Sequence, residues 1–404
     1  VVYAGTGDPN LPSIVFNGDG VFKSTDAGET WSYLGLSEQG IISKIVVNPV
    51  SPKTLLAACM GNPYVRDDQR GIYKSTDGGE HWQQVLFVSN QAGASDLVQS
   101  PVNPNILYAS FWDRIRSNSE SIIYGPNAKV FKSSDGGNTW VQMKVGLPNG
   151  VMGRTGLAIS QQNPDKAYAI YVDSLSTTGG LYKTVDGGAN WTPVNVAALE
   201  DAGGDFSWYF GKIRINPLND DDLYFLAILL YRKAAGSSNW AVAGGGHADS
   251  HDVVFCPSGR RYWSNDGGVY RIDAGQSTWT KCKNLPVTQF YHTNFNPHTP
   301  NLYWGGAQDN GIQKGVGGAS INNWTSVFSA DGFRCAFDPD DPLTFWVEIQ
   351  NGTIHKTTDG GSSWQFGSTA LGTTDRVSWD AQFFLSRFSP TRLYSATYRA
   401  YVSS

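Results

Sequence analysis

Charged side chains are scarce in this sequence, and none of them form a long run of one sign. Asp, Glu, Lys and Arg make up 16% of the 404 residues, and the formal net charge is −5. Proteins that bind nucleic acid through phosphate contacts carry a basic surface, which this composition does not provide. We therefore expect no nucleic-acid partner.

Long hydrophobic runs are also missing. The most apolar run, Leu223–Tyr231, is nine residues long, about half of the roughly 20 residues that a membrane-spanning helix needs. It is typical of a buried strand, and the sequence predicts no membrane-spanning segment.

Cysteine is rare, and its spacing is not that of a metal or disulfide framework. The four cysteines are Cys59, Cys256, Cys282 and Cys335. They lack the CxxC spacing of a metal knuckle and the density of a disulfide scaffold. We expect small buried side chains, with Cys256 and Cys282 as the one candidate disulfide pair.

Glycine and aromatic residues are abundant, with 46 Gly, 14 Trp, 19 Tyr and 19 Phe. This composition favours many short strands joined by tight turns and argues against disorder. Ser75–Trp82 reads Ser-Thr-Asp-Gly-Gly-Glu-His-Trp, and each copy of this stretch follows an aromatic-basic strand end. Four near-copies are present: Ser24–Trp31, Ser133–Trp140, Thr184–Trp191 and Thr357–Trp364. Gly supplies the positive φ angles and Asp caps the turn, so each copy predicts a hairpin.

The repeat spacing predicts the fold. The five box aspartates, Asp26, Asp77, Asp135, Asp186 and Asp359, are separated by 51, 58, 51 and 173 residues, and the long gap holds three weaker copies. A period near 50 residues with four strands per unit is typical of a β-propeller. Because the turn recurs, these aspartates are interpreted as structural and not catalytic.

The repeated stretch resembles the Asp-box, or BNR repeat, of sialidases, xyloglucanases and sortilin-type propellers. Further stretches are similar to a group of large secreted bacterial sortilin-like BNR proteins: Gly153–Ser160, His247–Asp252, Asn265–Tyr270, Gln289–Tyr291 and Gly305–Asn310. The resemblance covers essentially the whole chain and implies a secreted or cell-surface protein. Most members of that group have no established activity, so it implies the fold more strongly than the function.

We expect one all-β domain over residues 1–404, most simply eight four-stranded blades, with seven or nine as alternatives. Ile41–Val47 has the pattern of an inner strand in the second blade. Val1–Gly5 and Phe383–Phe388 are expected to pair in one closing blade, because a closed propeller leaves no free sheet edge. Since the chain opens directly on a strand, we interpret it as a mature or trimmed piece of a longer protein.

Aligning the repeats places polar residues at the start of most inner strands. From the second blade to the eighth these positions hold Lys44, Asp96, Gly156, Lys212, Asp252, His292 and Arg334. They are expected to surround the mouth of the central channel. Two interpretations stay open: a polar ligand pocket, or ion pairs between neighbouring blades.

The segment His247–Asp252 is the sharpest local signal. If it is extended, His247, Asp249 and His251 point to one side and could share a divalent metal ion. The alternative is structural, with these side chains hydrogen-bonding to one another and to loop backbone. No cofactor other than such a metal ion is expected.

The preferred function is a non-enzymatic binding or scaffold propeller, secreted or part of a larger surface assembly, that recognises a protein or a glycan. Its candidate ligand-binding residues are His247, Asp249, His251, Asp252, His292, Gln308, Asp309, Asn310, Asp331 and Arg334. The alternative, implied by the resemblance, is a glycoside hydrolase using a carboxylate pair from Asp249, Asp309 and Asp331. Sialidase activity is disfavoured because the Phe-Arg-Ile-Pro stretch before the first box is missing. The resemblance implies two propellers for a xyloglucanase, whereas this chain has repeats for one.

Overall fold

The computed structural model describes residues 1–11, 16–283, 285, 287–318, 323–367, 375–386, 388 and 392–403. Regular structure in these ranges is almost entirely β-strand, and the helices are two single 3₁₀ turns, Ala197–Leu199 and Gly204–Phe206. None of the described helices is long and apolar enough to cross a membrane. The predicted all-β class is therefore confirmed.

The chain divides into two compact units. The first unit comprises Val1–Asn265 and Arg271–Trp279, and the second comprises Asp266–Tyr270 and Thr280–Ser404. That residues 1–404 form one propeller domain stays a prediction.

The first unit consists of successive antiparallel sheets. A three-stranded sheet holds β1 (Val2–Gly5), β2 (Val21–Ser24) and β3 (Ser32–Tyr33). The next sheet holds β4 (Ile41–Val47), β5 (Leu55–Gly61), β6 (Gly71–Ser75) and β7 (Gln83–Leu86). A third has the order β8 (Ala92–Gln99), β9 (Leu107–Asp113), β12 (Val130–Ser133) and β13 (Val141–Gln142), with a separate hairpin of β10 (Ile115–Arg116) and β11 (Ser121–Ile122). Two more hold β14 (Thr155–Ile159), β15 (Ala167–Val172), β16 (Thr178–Thr184) and β17 (Thr192–Val194), then β18 (Lys212–Asn216), β19 (Asn219–Leu226), β20 (Leu230–Lys233) and β21 (Ala241–Val242).

The remaining sheets continue the same up-and-down order. One holds β22 (Ser250–Phe255), β23 (Arg261–Asn265), β24 (Gly268–Ile272) and β25 (Thr280–Lys281). The next two hold β26 (Phe290–Asn296), β27 (Thr299–Ala307), β28 (Gly311–Val316) and β29 (Trp324–Phe328), then β30 (Gly332–Phe337), β31 (Phe345–Ile349), β32 (Thr353–Thr357) and β33 (Gln365–Phe366). The last holds β34 (Gln382–Leu385), β35 (Leu393–Ala396) and β36 (Ala400–Val402).

The order of burial within a sheet is that of a propeller blade. Every residue of the second strands β5, β9 and β15 is buried, whereas the outermost strands β3, β7 and β13 are largely exposed. Neighbouring sheets of the first unit pack through apolar side chains such as Ile170, Ile213 and Phe225. The core therefore lies between facing sheets, as in a propeller.

Each box turn is closed by its own side chains. In the second box, Ser75 Oγ donates to Asp77 Oδ1 and accepts the backbone amide of Gly79, both at 2.8 Å. The backbone amide of His81 donates to Asp77 Oδ1 at 3.1 Å. The other box aspartates make the same set of hydrogen bonds: Asp26, Asp135, Asp186 and Asp359. Hydrogen bonds from the residue four positions on are the main reason that the pKa of all five lies well below its usual value.

The strand β4 has the predicted bounds Ile41–Val47. Two other details differ from the sequence predictions. In the described structure, β1 and β34 lie in different three-stranded sheets, so the prediction that the chain ends share one blade is wrong. Each end pairs instead with the strands that follow it in sequence, which costs less chain entropy than pairing distant segments. All four cysteines are free, so Cys256 and Cys282 do not form the candidate disulfide. The number of blades stays a prediction.

Candidate functional sites

The segment His247–Asp252 is not continuously extended. Asp249 has a φ of 64°, in the left-handed region, and β22 begins only at Ser250. The alternation of side chains is therefore broken at Asp249, and the potential ligand atoms of His247, Asp249 and His251 do not all lie within 4.8 Å of one another. Instead, His247 Nδ1 lies 3.2 Å from the carbonyl oxygen of Ala248. The His251 ring packs edge-on against Tyr209, with ring centroids 6.2 Å apart. A metal ion shared by the three side chains thus has no support from this geometry.

The first strands of the sheets in the first unit, and the residue just before one of them, bring together a group of charged side chains, called here the charged ring. Its members are Lys44, Asp96, Arg154, Lys212, Arg214 and Asp252. Arg214 Nε donates to Asp252 Oδ1 at 2.7 Å. Asp96 accepts the backbone amides of Leu97 and Leu157 at 2.9 and 3.0 Å. Four of these residues were placed at strand starts by the repeat alignment.

Arg154 and Arg214 are the members that the alignment missed. Arg154 is 4% exposed, and its Nη1 donates to the side-chain oxygen of Asn10 and to the carbonyl oxygen of Tyr209, at 2.9 and 2.7 Å. It lies two residues before Gly156, the position that was aligned. Arg214 follows Lys212 by two residues, and side chains two apart on a strand share a face. That periodicity could have identified Arg214.

Burial lowers the pKa of two cations of the charged ring, whereas at Arg214 the effect of burial is outweighed by the nearby charges of Asp252 and Asp96 and the hydrogen bond to Asp252, and the pKa is raised. At Arg154 burial lowers the pKa to about 10, although Asp96 opposes the shift. Burial lowers the pKa of Lys212 to about 7, and the positive charges of Arg154 and Arg214 add to that effect. A lysine in this state is partly neutral near pH 7.

In the second unit, two further strand-start residues meet a carboxylate that the sequence analysis missed. His292 Nε2 lies 2.7 Å from Asp380 Oδ2, and Arg334 Nε lies 3.6 Å from Asp380 Oδ1. Asp380 lies two residues before β34, the first strand of the last sheet, so aligning the start of that strand could have identified it. These contacts fit the ion-pair interpretation of the strand-start residues within this unit.

Glu348 lies near Asp380 and Arg334 and is fully buried. Its Oε1 accepts the backbone amide of Ala381 at 2.7 Å, and its Oε2 has no hydrogen-bond partner among the described residues. Burial, with the negative charge of Asp380, raises the pKa of Glu348 to about 8. Glu348 is therefore mainly neutral at pH 7, and its burial keeps it from contacting a substrate.

A second cluster of the second unit, called here the aspartate–aromatic cluster, consists of Asp309, Asp331, Tyr291, Phe333 and Trp379. Asp309 lies in the turn between β27 and β28, and Asp331 directly precedes β30. The backbone amide of Asp309 donates to Asp331 Oδ1 at 2.8 Å, which joins the two turns. The structure therefore brings together two of the three carboxylates proposed for hydrolysis.

Aromatic rings lie beside these carboxylates. Tyr291 stacks on Phe333 with ring centroids 4.6 Å apart, and Trp379 packs edge-on against Phe333 at 6.3 Å. Burial raises the pKa of Tyr291, and the nearby charges of Asp331 and Asp309 add to the shift. The side chain of Trp379 is 49% exposed. An exposed indole beside carboxylates is a suitable surface for stacking a sugar ring.

Gln308 and Asn310, the other predicted ligand-binding residues of this turn, form hydrogen bonds with backbone groups. Asn310 Nδ2 donates to the carbonyl oxygens of Gln308 and Asp266, at 2.9 and 3.0 Å. The backbone amide of Gln308 donates to the carbonyl oxygen of Gln289 at 3.0 Å. The hydrogen bonds of the Asn310 side chain therefore stabilise the turn that contains Asp309.

No protein-family model matches the chain. A xyloglucanase of Paenibacillus sp. is 22% identical over an alignment of 476 positions that covers 98% of this chain and 44% of that protein. A probable oligoxyloglucan-reducing end-specific xyloglucanase of Neosartorya fischeri is 25% identical over 196 residues, which cover 43% of this chain and 22% of that protein. The chain thus spans less than half the length of either relative.

Among solved structures, an ancestral GH74 enzyme matches with a TM-score of 0.51 and 16% sequence identity, covering 99% of this chain and 67% of that one. This likeness supports the β-propeller class. The sequence relatives overturn the prediction of a non-enzymatic binding or scaffold propeller, because these curated proteins, 22–25% identical to the chain, are xyloglucanases. The number of repeats had argued against a xyloglucanase, because the resemblance implied two propellers for such an enzyme and this chain has repeats for one.

Proposed function

We propose that this chain is part of a glycoside hydrolase that cleaves a xyloglucan-type polysaccharide outside the cell. The observation that carries the proposal is the similarity to the Paenibacillus xyloglucanase over 98% of the chain. The recurring Asp-centred turns support including the chain among the Asp-box (BNR) propellers, and its further likeness to the sortilin-like BNR group is part of the same proposal.

Asp331 and Asp309 are the proposed catalytic carboxylates within the second unit. Hydrolysis of a glycosidic bond commonly uses one carboxylic acid that protonates the leaving oxygen and one carboxylate that acts as base or nucleophile. The backbone amide of Asp309 fixes the orientation of the Asp331 carboxylate, which suits the base or nucleophile. Asp309 is then the proposed acid. Asp249, of the first unit, stays the third candidate.

Trp379 is the proposed stacking surface for a glucosyl unit of the backbone. Trp379 is half exposed, and its ring packs against Phe333, which in turn stacks on Tyr291. Stacking on an aromatic face is worth roughly 0.5–1.5 kcal/mol beyond the area it buries. A single indole can therefore orient a sugar residue without dominating the affinity for the polymer.

The test compares the initial rate of xyloglucan hydrolysis, followed as new reducing ends, in the wild type and in Asp331→Asn and Asp309→Asn. Removing a catalytic carboxylate is expected to lower the rate by about 10²–10⁴-fold. Asp340→Asn is the matched control, because Asp340 is an exposed carboxylate in a turn of the same unit. Trp379→Ala is expected to raise KM more than it lowers kcat. Equal rates in Asp331→Asn and Asp340→Asn would remove Asp331 from the mechanism.

A further inference from the structure

We propose that the charged ring of the first unit binds the carboxylate of a small anionic ligand, such as an acidic sugar. This inference is independent of the hydrolase proposal, because it concerns other residues in the other unit. The observation behind it is an excess of positive over negative charge among the described residues of the first unit that form the ring.

The charge count of the ring is uneven. Four cations, Lys44, Arg154, Lys212 and Arg214, face two carboxylates, Asp96 and Asp252. Asp8 adds a third carboxylate, which interacts with Arg154, and the phenol of Tyr209 also lies near Arg154. Even with Asp8 included, the cations outnumber the carboxylates.

The carboxylates of the ring are already engaged. Asp252 Oδ1 accepts both Arg214 Nε and the backbone amide of Val253, at 2.7 and 2.8 Å. Both oxygens of Asp96 accept backbone amides. Neither carboxylate forms a close ion pair with Lys212, and among the described residues its ammonium group has no hydrogen-bond partner.

The ring is within reach of a ligand. The side chain of Arg214 is 22% exposed and that of Asp252 is 41% exposed. Lys212 and Lys44 are half-buried, so neither residue is fully closed off from solvent. A carboxylate placed next to Lys212 would accept a charge-assisted hydrogen bond, which is about twice as strong as a neutral one.

The energetic argument comes from desolvation. A cation surrounded by other cations and partly removed from water is destabilised, and the lowered pKa of Lys212 reflects that cost. An anion within about 4 Å reverses it, because opposite charges attract more strongly in a site with little water. A neutral sugar offers no such compensation, so the site should discriminate by charge.

The experiment is isothermal titration calorimetry of the whole chain with D-glucuronate, acetate, sulfate and D-glucose as probes. It is run at pH 7 in Tris and in imidazole, which are cationic buffers that do not compete for the site. Glucuronate is expected to bind and glucose is not. Binding of acetate as well would indicate a general carboxylate site, whereas binding of glucuronate alone would indicate an acidic-sugar site.

Lys212→Met is expected to lower the affinity for glucuronate at least tenfold, since the hydrogen bond to a charged group is lost. Lys53→Met is the matched control, because Lys53 is an exposed lysine in a turn of the same unit. Wild-type binding should also take up as much as about half a proton at pH 7, as the carboxylate restores the charge of Lys212. The difference in binding enthalpy between the two buffers measures this uptake, and it does not depend on how the variants fold.

Equal affinities of Lys212→Met and Lys53→Met for glucuronate would overturn the proposal. So would binding of sulfate without binding of either carboxylate, or glucuronate binding with no proton uptake. Because none of these readouts uses hydrolysis, failure here and failure of the hydrolase proposal are distinguishable.

Discussion

The first box turn contains a correctable strain at Ala27. This residue has a φ of 64°, whereas the equivalent position in the other four boxes is a glycine: Gly78, Gly136, Gly187 and Gly360. An L-residue in the left-handed region costs roughly 1–2 kcal/mol relative to glycine. Relief of this strain by glycine is partly offset, by roughly 0.4–1 kcal/mol, because glycine gives the unfolded chain more conformational entropy. We therefore expect Ala27→Gly to stabilise the protein by about 0.5–1 kcal/mol.

The reverse change at an equivalent turn is the control. Gly78 has a φ of 89°, and a Cβ built on it would meet only Lys23 Nζ at 3.8 Å, so Gly78→Ala adds backbone strain without a clash. It is expected to lower the free energy of unfolding by about the same 0.5–1 kcal/mol. Urea unfolding followed by tryptophan fluorescence measures both variants. The reasoning fails if Ala27→Gly is no more stable than the wild type, or if Gly78→Ala loses nothing.

Two further predictions concern buried side chains. The raised pKa of Glu348 means that the folded state binds its proton more tightly than the unfolded state, so the stabilisation it gives below its ordinary pKa is lost as pH rises towards about 8. Urea unfolding between pH 5 and pH 8 should show wild-type stability falling relative to Glu348→Gln by at most about 1.4 kcal/mol per pH unit, and parallel curves would contradict this. Trp112 is fully buried and donates from Nε1 to the carbonyl oxygen of Ile123 at 2.8 Å, so Trp112→Ala should cost about 3–5 kcal/mol in the same assay. Trp31→Ala, at a tryptophan that is 43% exposed, should cost far less, and similar losses for the two would refute the assignment of the core.

The fold was predictable because its signal is local and repeated. Each box turn is specified by a hydroxyl, an aspartate and glycines within five residues. The hydroxyl and the carboxylate form their hydrogen bonds between the hydroxyl residue and the residue four positions after the aspartate, as from Ser75 to His81. The same locality explains why β4 was predicted with its observed bounds. Val1–Gly5 and Phe383–Phe388 are far apart in sequence, and no local pattern specifies whether two such segments share a sheet, so the predicted pairing of the chain ends was wrong.

The candidate sites were predictable only in part. Alignment of the repeats placed Lys212 and Asp252 in the charged ring, but the contacts among the ring residues depend on how side chains of different sheets meet. Arg154, for example, donates to Asn10, which is 144 positions away in sequence. At Asp249 the prediction failed for a local reason, since a single positive φ ended the extended conformation assumed for the metal-binding segment. Aspartate reaches the left-handed region more readily than most residues, and a sequence alone does not show when it does.

The function depends on the relatives more than on any one contact, so its most direct test is enzymatic. The purified chain is incubated with xyloglucan, with cellulose as the comparison polymer, and the products are analysed by size-exclusion chromatography and mass spectrometry. We predict shortened xyloglucan whose fragments carry one new reducing end for each broken glycosidic bond, and loss of this activity in Asp331→Asn. Xyloglucan of unchanged size, under conditions in which an established xyloglucanase degrades it, would contradict the proposal that this chain carries the catalytic carboxylates of a hydrolase.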